Sequence, residues 1–190
     1  MMKKATTLLG TKLEDACKFN GTVTASTPTE LLSNFVNALA DYIENNIKYA
    51  GTFSGTTLTN PPVPYTSPIA EGKLLSATLR SMCPVCKDPN GESGEVEWTN
   101  WMNEIYTGIK ATQIIGTSSS IPISATISFP SLVLGWSRKS LLDAYNNNDS
   151  IYDTMADNII FDLKKSVIMT YPSIITGVAT GADTIVFTFE

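Results

Sequence analysis

The sequence predicts an α+β chain, with a mainly helical core of four to five helices and a minor antiparallel β part that includes a C-terminal hairpin. Three observations predict it. Segments with apolar residues three and four apart are separated by long uncharged loops rich in glycine and proline. One stretch alternates apolar and neighbouring residues with a period of two. The last residues form two β-type runs around a turn. At 190 residues the chain can bury a full core without metals or disulfides, so residues 1–190 are read as a single domain.

The first strong element opens at Thr27-Pro28-Thr29-Glu30, which sets an N-cap, a first-turn proline and a capping-box glutamate in order. Leu31, Phe35, Leu39, Ile43 and Ile47 then recur every fourth residue. That row predicts a helix with one buried stripe running to about Tyr49, ended by Gly51. Residues 51–70, GTFSGTTLTNPPVPYTSPIA, hold no charge and are broken by Pro61, Pro62, Pro64 and Pro68. They are read as an extended arm lying on another surface, with a short strand around residues 56–58. Ser67-Pro68 reads as the cap of a second helix through Leu74, Leu75, Leu79 and Met82, ending at Pro84.

Trp98, Trp101, Met102, Ile105, Tyr106 and Ile109 mark the apolar face of a third helix over about 96–110. Ile121, Ile123, Ala125, Ile127 and Phe129 alternate as a strand, and Pro122 places its start at a sheet edge. Residues 131–145 are read as a helix. Asp149 or Ser150 caps a last helix that buries Ile151, Met155, Ile159 and Leu163, and Pro172 stops it. Runs at 174–178 and 184–189 flank Thr180-Gly181-Ala182-Asp183, which predicts a hairpin over about 173–190 with its loop at those four residues.

Composition excludes several functions. Thirteen Lys and Arg against 18 Asp and Glu leave a net charge of −5, the wrong sign for nucleic-acid binding or an anionic membrane. No run of about 18 apolar residues predicts a membrane span, and the N-terminus is not a convincing signal peptide. Charged residues make up only 16 %, where about 25 % is usual. Small neutral polar groups replace them, and such a surface is cheap to desolvate against other proteins. The chain has no histidine, so the commonest general base and metal ligand is missing.

Three cysteines form no paired framework and point to synthesis in a reducing compartment. Cys83-Pro84-Val85-Cys86 looks like half of a zinc knuckle. Cys17 could be a third ligand, but no histidine can complete the four. A redox pair should open a helix, and here the pair closes one. The two are therefore read as turn cysteines, with no metal and no cofactor. The alternative is a zinc-dependent binding module or small enzyme centred on Cys83 and Cys86. Asp149, Asp153 and Asp157 lie four apart on one helix and are read as a solvated face rather than a catalytic set. No phosphate-binding, nucleophile-elbow or metalloprotease motif occurs.

One combination is familiar: the helix LLSNFVNALADYIENNIKYAG, the following GTFSGTTLTNPPVPYTSP, and the tail ITGVATGADTIVFTFE. Over residues 27–75 and the tail it resembles small virion structural proteins of tailed bacteriophages, of the neck, tail, baseplate or capsid-associated type. The resemblance implies a non-enzymatic structural subunit, a homo-oligomer in contact with other virion proteins, made in the host cytoplasm and carried in the virion. It implies no nucleic-acid or membrane partner. Arms and hairpins in such assemblies extend a neighbour's sheet. The expected interface residues are Pro62, Val63, Tyr65 and Ile69 in the arm, Trp98 and Trp101 in the third helix, Ile121, Ile123, Ile127 and Phe129 in the strand, and Ile185, Phe187 and Phe189 in the hairpin.

Overall fold

A computed structural model describes residues 3–17, 28–82, 94–118, 121–126, 132–165 and 168–189. In chain order the elements are α1 (Leu8–Cys17), α2 (Pro28–Asn46), β1 (Ile47–Thr57), β2 (Pro64–Leu75), α3 (Ala77–Ser81), α4 (Gly94–Lys110), β3 (Gln113–Ser118), β4 (Ile121–Thr126), α5 (Arg138–Asn146), α6 (Ile151–Lys164), β5 (Ile168–Ile175) and β6 (Ala179–Phe189). The strands form one antiparallel sheet in the order β4-β3-β2-β1-β6-β5. The α+β class is as the sequence predicts, and the C-terminal hairpin is part of that sheet.

The extended arm is not one. Residues 47–57 and 64–75 are the two strands of a hairpin, and β1 lies at the centre of the sheet between β2 and β6. Helix α2 passes into β1 with no loop, because Ile47 satisfies two patterns at once. It closes the four-residue row of α2, and it opens the period-two series Ile47, Tyr49, Phe53 of β1. Gly51 therefore sits inside a strand rather than ending a helix. The prolines that exclude a helix do not exclude β2. Pro64 and Pro68 pair with β1 and lie beyond the β3 ladder, which reaches only to Ile69. The helix expected over 67–82 is the rest of β2 followed by the five-residue α3.

Further differences follow the same logic. Residues 132–137 are irregular and the helix there starts at Arg138. Pro172 does not stop α6, which ends at Lys164; it lies in β5, an edge strand, and Pro122 lies in β4, the other edge. The final turn is Thr176-Gly177-Val178, with Gly177 at φ 76°, a conformation glycine adopts without penalty. Thr180 to Asp183 fall within β6 instead. Helix α1 has no counterpart in the sequence reading.

The helices bury one face of the sheet. A single core joins Leu9 and Leu13 of α1, Phe35, Leu39 and Ile43 of α2, Ile105 and Ile109 of α4, Ile159 and Leu163 of α6, and Tyr49, Ile69, Ile185 and Phe187 of the sheet. Phe53, Ile175 and Ala179 make a smaller cluster farther along the same face, with Tyr65 packed on it.

The row Asp149, Asp153, Asp157 is more than a solvated face. Lys3 Nζ reaches Asp149 at 2.9 Å. Asp153 accepts the backbone N–H groups of Thr6 and Thr7 and both their hydroxyls, at 2.7 to 3.0 Å. Thr7 in turn accepts from Gly10 N–H at the start of α1. A carboxylate from α6 thus satisfies the open donors of another helix. Gly10 is needed for that approach, since a Cβ there would lie 2.2 Å from Asp153 Oδ1.

Candidate functional site: the open face of the sheet

Strand alternation sends every second side chain away from the helices. The register places these outward residues in rows across β5, β6, β1 and β2. One row is Ile168, Val186, Ala50. The next is Thr170, Thr184, Thr52, Pro68. Then come Pro172, Ala182, Ser54, Thr66 and Ile174, Thr180, Thr56, Pro64. None of these side chains is charged, in a chain of net charge −5. Lys48 and Lys73 lie on the same face toward one end. Ile168 and Ile174 are 66 % and 64 % exposed, and Val186 43 %. Those values mark apolar side chains on a surface that no helix or further strand among the described residues covers.

The sheet edges are built differently. Both outer strands carry a proline, Pro172 in β5 and Pro122 in β4. Proline removes a ladder donor and is a common device against edge-to-edge pairing. The C-terminal hairpin is not free to reach a neighbour, because β6 is paired along its whole length to β1.

The residues expected at an interface divide accordingly. Ile69, Ile185 and Phe187 are buried in the core, and Phe189 packs against it. They belong to the inward set of alternating strands, so their apolar character serves the fold. Tyr65 is half-buried against Phe53, with ring centroids 6.1 Å apart. Trp98 meets Trp136 edge-on at 4.8 Å, and Trp101 meets Phe35 at 5.2 Å, so both tryptophans pack within the chain. Pro62 and Val63 are exposed at the β1–β2 connection. Ile121 and Ile123 lie in β4, whose side chains are outside the description, and Ile127 and Phe129 are outside the described residues. Sequence reasoning missed Ile168, Ile174 and Val186. The usable signal was the Thr-rich partner set of each strand, Thr180, Thr184 and Thr188 in β6.

Cys83 and Cys86 lie outside the described residues. Cys17 is a half-buried free thiol, and burial pushes its pKa up to about 11. That suppresses the thiolate a metal or an electrophile needs. Among the described residues no three carboxylates or cysteines are grouped to hold a metal ion. No helix among them is long and apolar enough to cross a membrane.

Among the described residues two carboxylates are fully enclosed. Asp162 accepts from Tyr106 O–H at 2.9 Å, Gly135 N–H at 3.0 Å and Lys165 Nζ at 2.6 Å, while Trp136 Nε1–H donates to the same Tyr106 oxygen. This network ties the irregular segment 132–137 to α4 and α6. Asp183, on the inward face of β6, has Phe53 and Tyr171 as cross-strand neighbours. Neither of its oxygens has a hydrogen bond of ordinary geometry, and neither do the hydroxyls of Tyr171 and Tyr49, but Tyr171 O–H lies close enough to Asp183 for the carboxylate to hold its proton. Burial first, and then the Asp183 charge, keeps Tyr171 protonated far above the usual tyrosine range.

Among the described residues the molecule is thus a two-layer α+β protein whose antiparallel sheet is covered on one face and open on the other. No protein-family model, curated protein or solved structure matches the chain.

Proposed function

We propose that the chain is a non-enzymatic structural subunit of a tailed-phage virion, in the neck, tail or baseplate, which associates with neighbouring subunits in the particle. The observation that carries the reading is the set of charge-free rows across the outer face of the sheet. A catalytic surface concentrates ionisable groups with perturbed pKa values around a cleft. Here the exposed face offers hydroxyl, methyl and proline groups, which cost little to desolvate. The surface that supports the reading is therefore an open sheet face, not an arm or a hairpin tip. The scarcity of charge in the whole chain and the resemblance of residues 27–75 and the tail to virion proteins support it too. The test is peptide mass spectrometry and antibody labelling of purified particles of the virus that encodes the chain. Recovery at a fixed copy number per particle is expected. Absence from intact particles would end the virion reading.

A further inference from the structure

We infer that the outer face formed by β5, β6, β1 and β2 is a two-fold interface that seats a second copy of this chain. The inference deepens the assembly reading and rests on it for the role of the contact. The first argument is area. Four strands at about 4.8 Å spacing make a face about 19 Å wide, and β1 at about 3.3 Å per residue gives it a length of about 36 Å. The face thus offers at most about 700 Å² per copy, with Lys48 and Lys73 at one end of it, and two copies would bury up to about 1,400 Å², inside the range of specific stable interfaces.

The second argument is charge. A two-fold contact sets a patch against itself, so a patch of one sign of charge would repel its copy, while a neutral one does not. The four rows from Ile168–Ala50 to Ile174–Pro64 carry no charge. An acidic or basic partner would gain nothing from them. The acidic row lies elsewhere, with Asp153 and Asp157 on α6 and Asp149 just before it, in the helical layer behind the sheet. Face-to-face packing of two such sheets, about 10 Å apart, places Ile168, Ile174 and Val186 in the new core and the threonines around them. The third argument is exclusion. The edges carry Pro122 and Pro172, so the sheet is poorly suited to extension by a neighbour's strand.

The experiment is sedimentation velocity on the purified full chain over a hundredfold concentration range, with Val186→Glu, Ile174→Glu and Phe161→Glu beside it. Ile174 lies on the edge strand and is largely exposed, so its variant leaves the fold intact even where Val186→Glu does not; circular dichroism and the melting temperature check both. Phe161, 65 % exposed on α6, is the control on the other side of the molecule. The expected result is a wild-type dimer, at least about 100-fold weaker association in Ile174→Glu and Val186→Glu, and an unchanged dimer in Phe161→Glu. A wild-type monomer at every concentration would overturn the inference, as would a dimer that Ile174→Glu and Val186→Glu leave intact. Either result would leave the virion reading standing if the chain is found in particles. Its absence from particles would end that reading and leave a measured dimer unaffected.

Discussion

Asp162 and Asp183 are equally enclosed, at 1 % and 0 % exposure, and their surroundings could hardly differ more. Asp162 faces a hydroxyl, a backbone N–H and an ammonium group, all at hydrogen-bonding distance. Asp183 faces the ring of Phe53 across one strand pair and, across the other, Tyr171, whose hydroxyl feels the carboxylate without a hydrogen bond of ordinary geometry. The difference comes from what carries the neighbours. Asp162 sits on α6, opposite the irregular segment 132–137, whose free backbone groups and flexible approach can be shaped around a carboxylate. Asp183 sits in the interior of a sheet, where every backbone donor is spent on the ladder. There the side chain must rely on cross-strand partners whose positions the register dictates. Burial alone therefore says nothing about whether a carboxylate holds this fold together.

The sharpest way to break the comparison is Asp162→Ala. It strips the buried Tyr106 hydroxyl, Gly135 N–H and the exposed Lys165 of their common acceptor, and leaving a buried donor unmet costs about 1–3 kcal/mol. Urea unfolding should show a loss of that size, with a change in Trp136 fluorescence as its Tyr106 contact loosens. A loss below about 1 kcal/mol would mean that the network only decorates the packing. Asp183→Asn should cost much less, under about 1 kcal/mol, because the amide oxygen can still accept from Tyr171 O–H and no ion pair is lost. A loss as large as that of Asp162→Ala in the same unfolding series would show that enclosure alone, and not the set of donors, decides what a carboxylate contributes here.

Asp153 lies between the two cases, rich in donors but only partly buried. Burial raises its pKa, but the hydrogen bonds from Thr7 and Thr6 outweigh that and hold it below the ordinary carboxylate value. A group depressed in the folded state adds stability that is fully present above its unfolded pKa. That stability is lost as pH falls through the folded value. Asp153→Ala should cost about 0.5–2 kcal/mol, the range of a lost helix cap. The deficit should be seen at pH 7 and should shrink as the pH falls below the ordinary carboxylate pKa. A deficit that stays constant down to pH 2 would show that the carboxylate's charge does not secure α1.

The smallest effect tests the tyrosines beside Asp183. Burial pushes Tyr49 from 10.0 up to about 12, and Tyr171 is shifted the same way. A raised pKa means that stability is complete below the unfolded value and is lost as pH rises through the folded one. Tyrosinate absorbance should therefore lag the ordinary titration between about pH 10 and pH 12, and Asp183→Asn should shift part of that lag back down. A titration identical in wild type and variant would show that Asp183 does not act on Tyr171.

Some elements could be read from the chain without its partners. Helices α2, α4 and α6 carry apolar rows at helical spacing, and Ser150 caps α6 by accepting from Asp153 N–H. Pro122 announced an edge strand and lies in one. These features are local: each depends on residues within one or two turns. The sites were less legible. In β6 the sequence shows two interleaved sets, Ile185 with Phe187 and Thr184 with Val186. Nothing in a single strand says which set faces the helices. The more apolar set was taken for an interface and is the core.

By itself, the sequence determined the class of fold, the main helices, the C-terminal hairpin and the absence of histidine chemistry. Composition and near-neighbour spacing are properties of the chain alone. Only the tertiary structure decided that residues 51–70 are inner strands rather than an arm, that Asp162 is fully satisfied and Asp183 is not, and that the open surface is a neutral grid of threonine, proline and isoleucine. Each of these depends on pairing between residues far apart in the chain, as Thr52 pairs with Thr184. A strand's free energy lies in such partners, and a one-residue change of register would exchange its two faces.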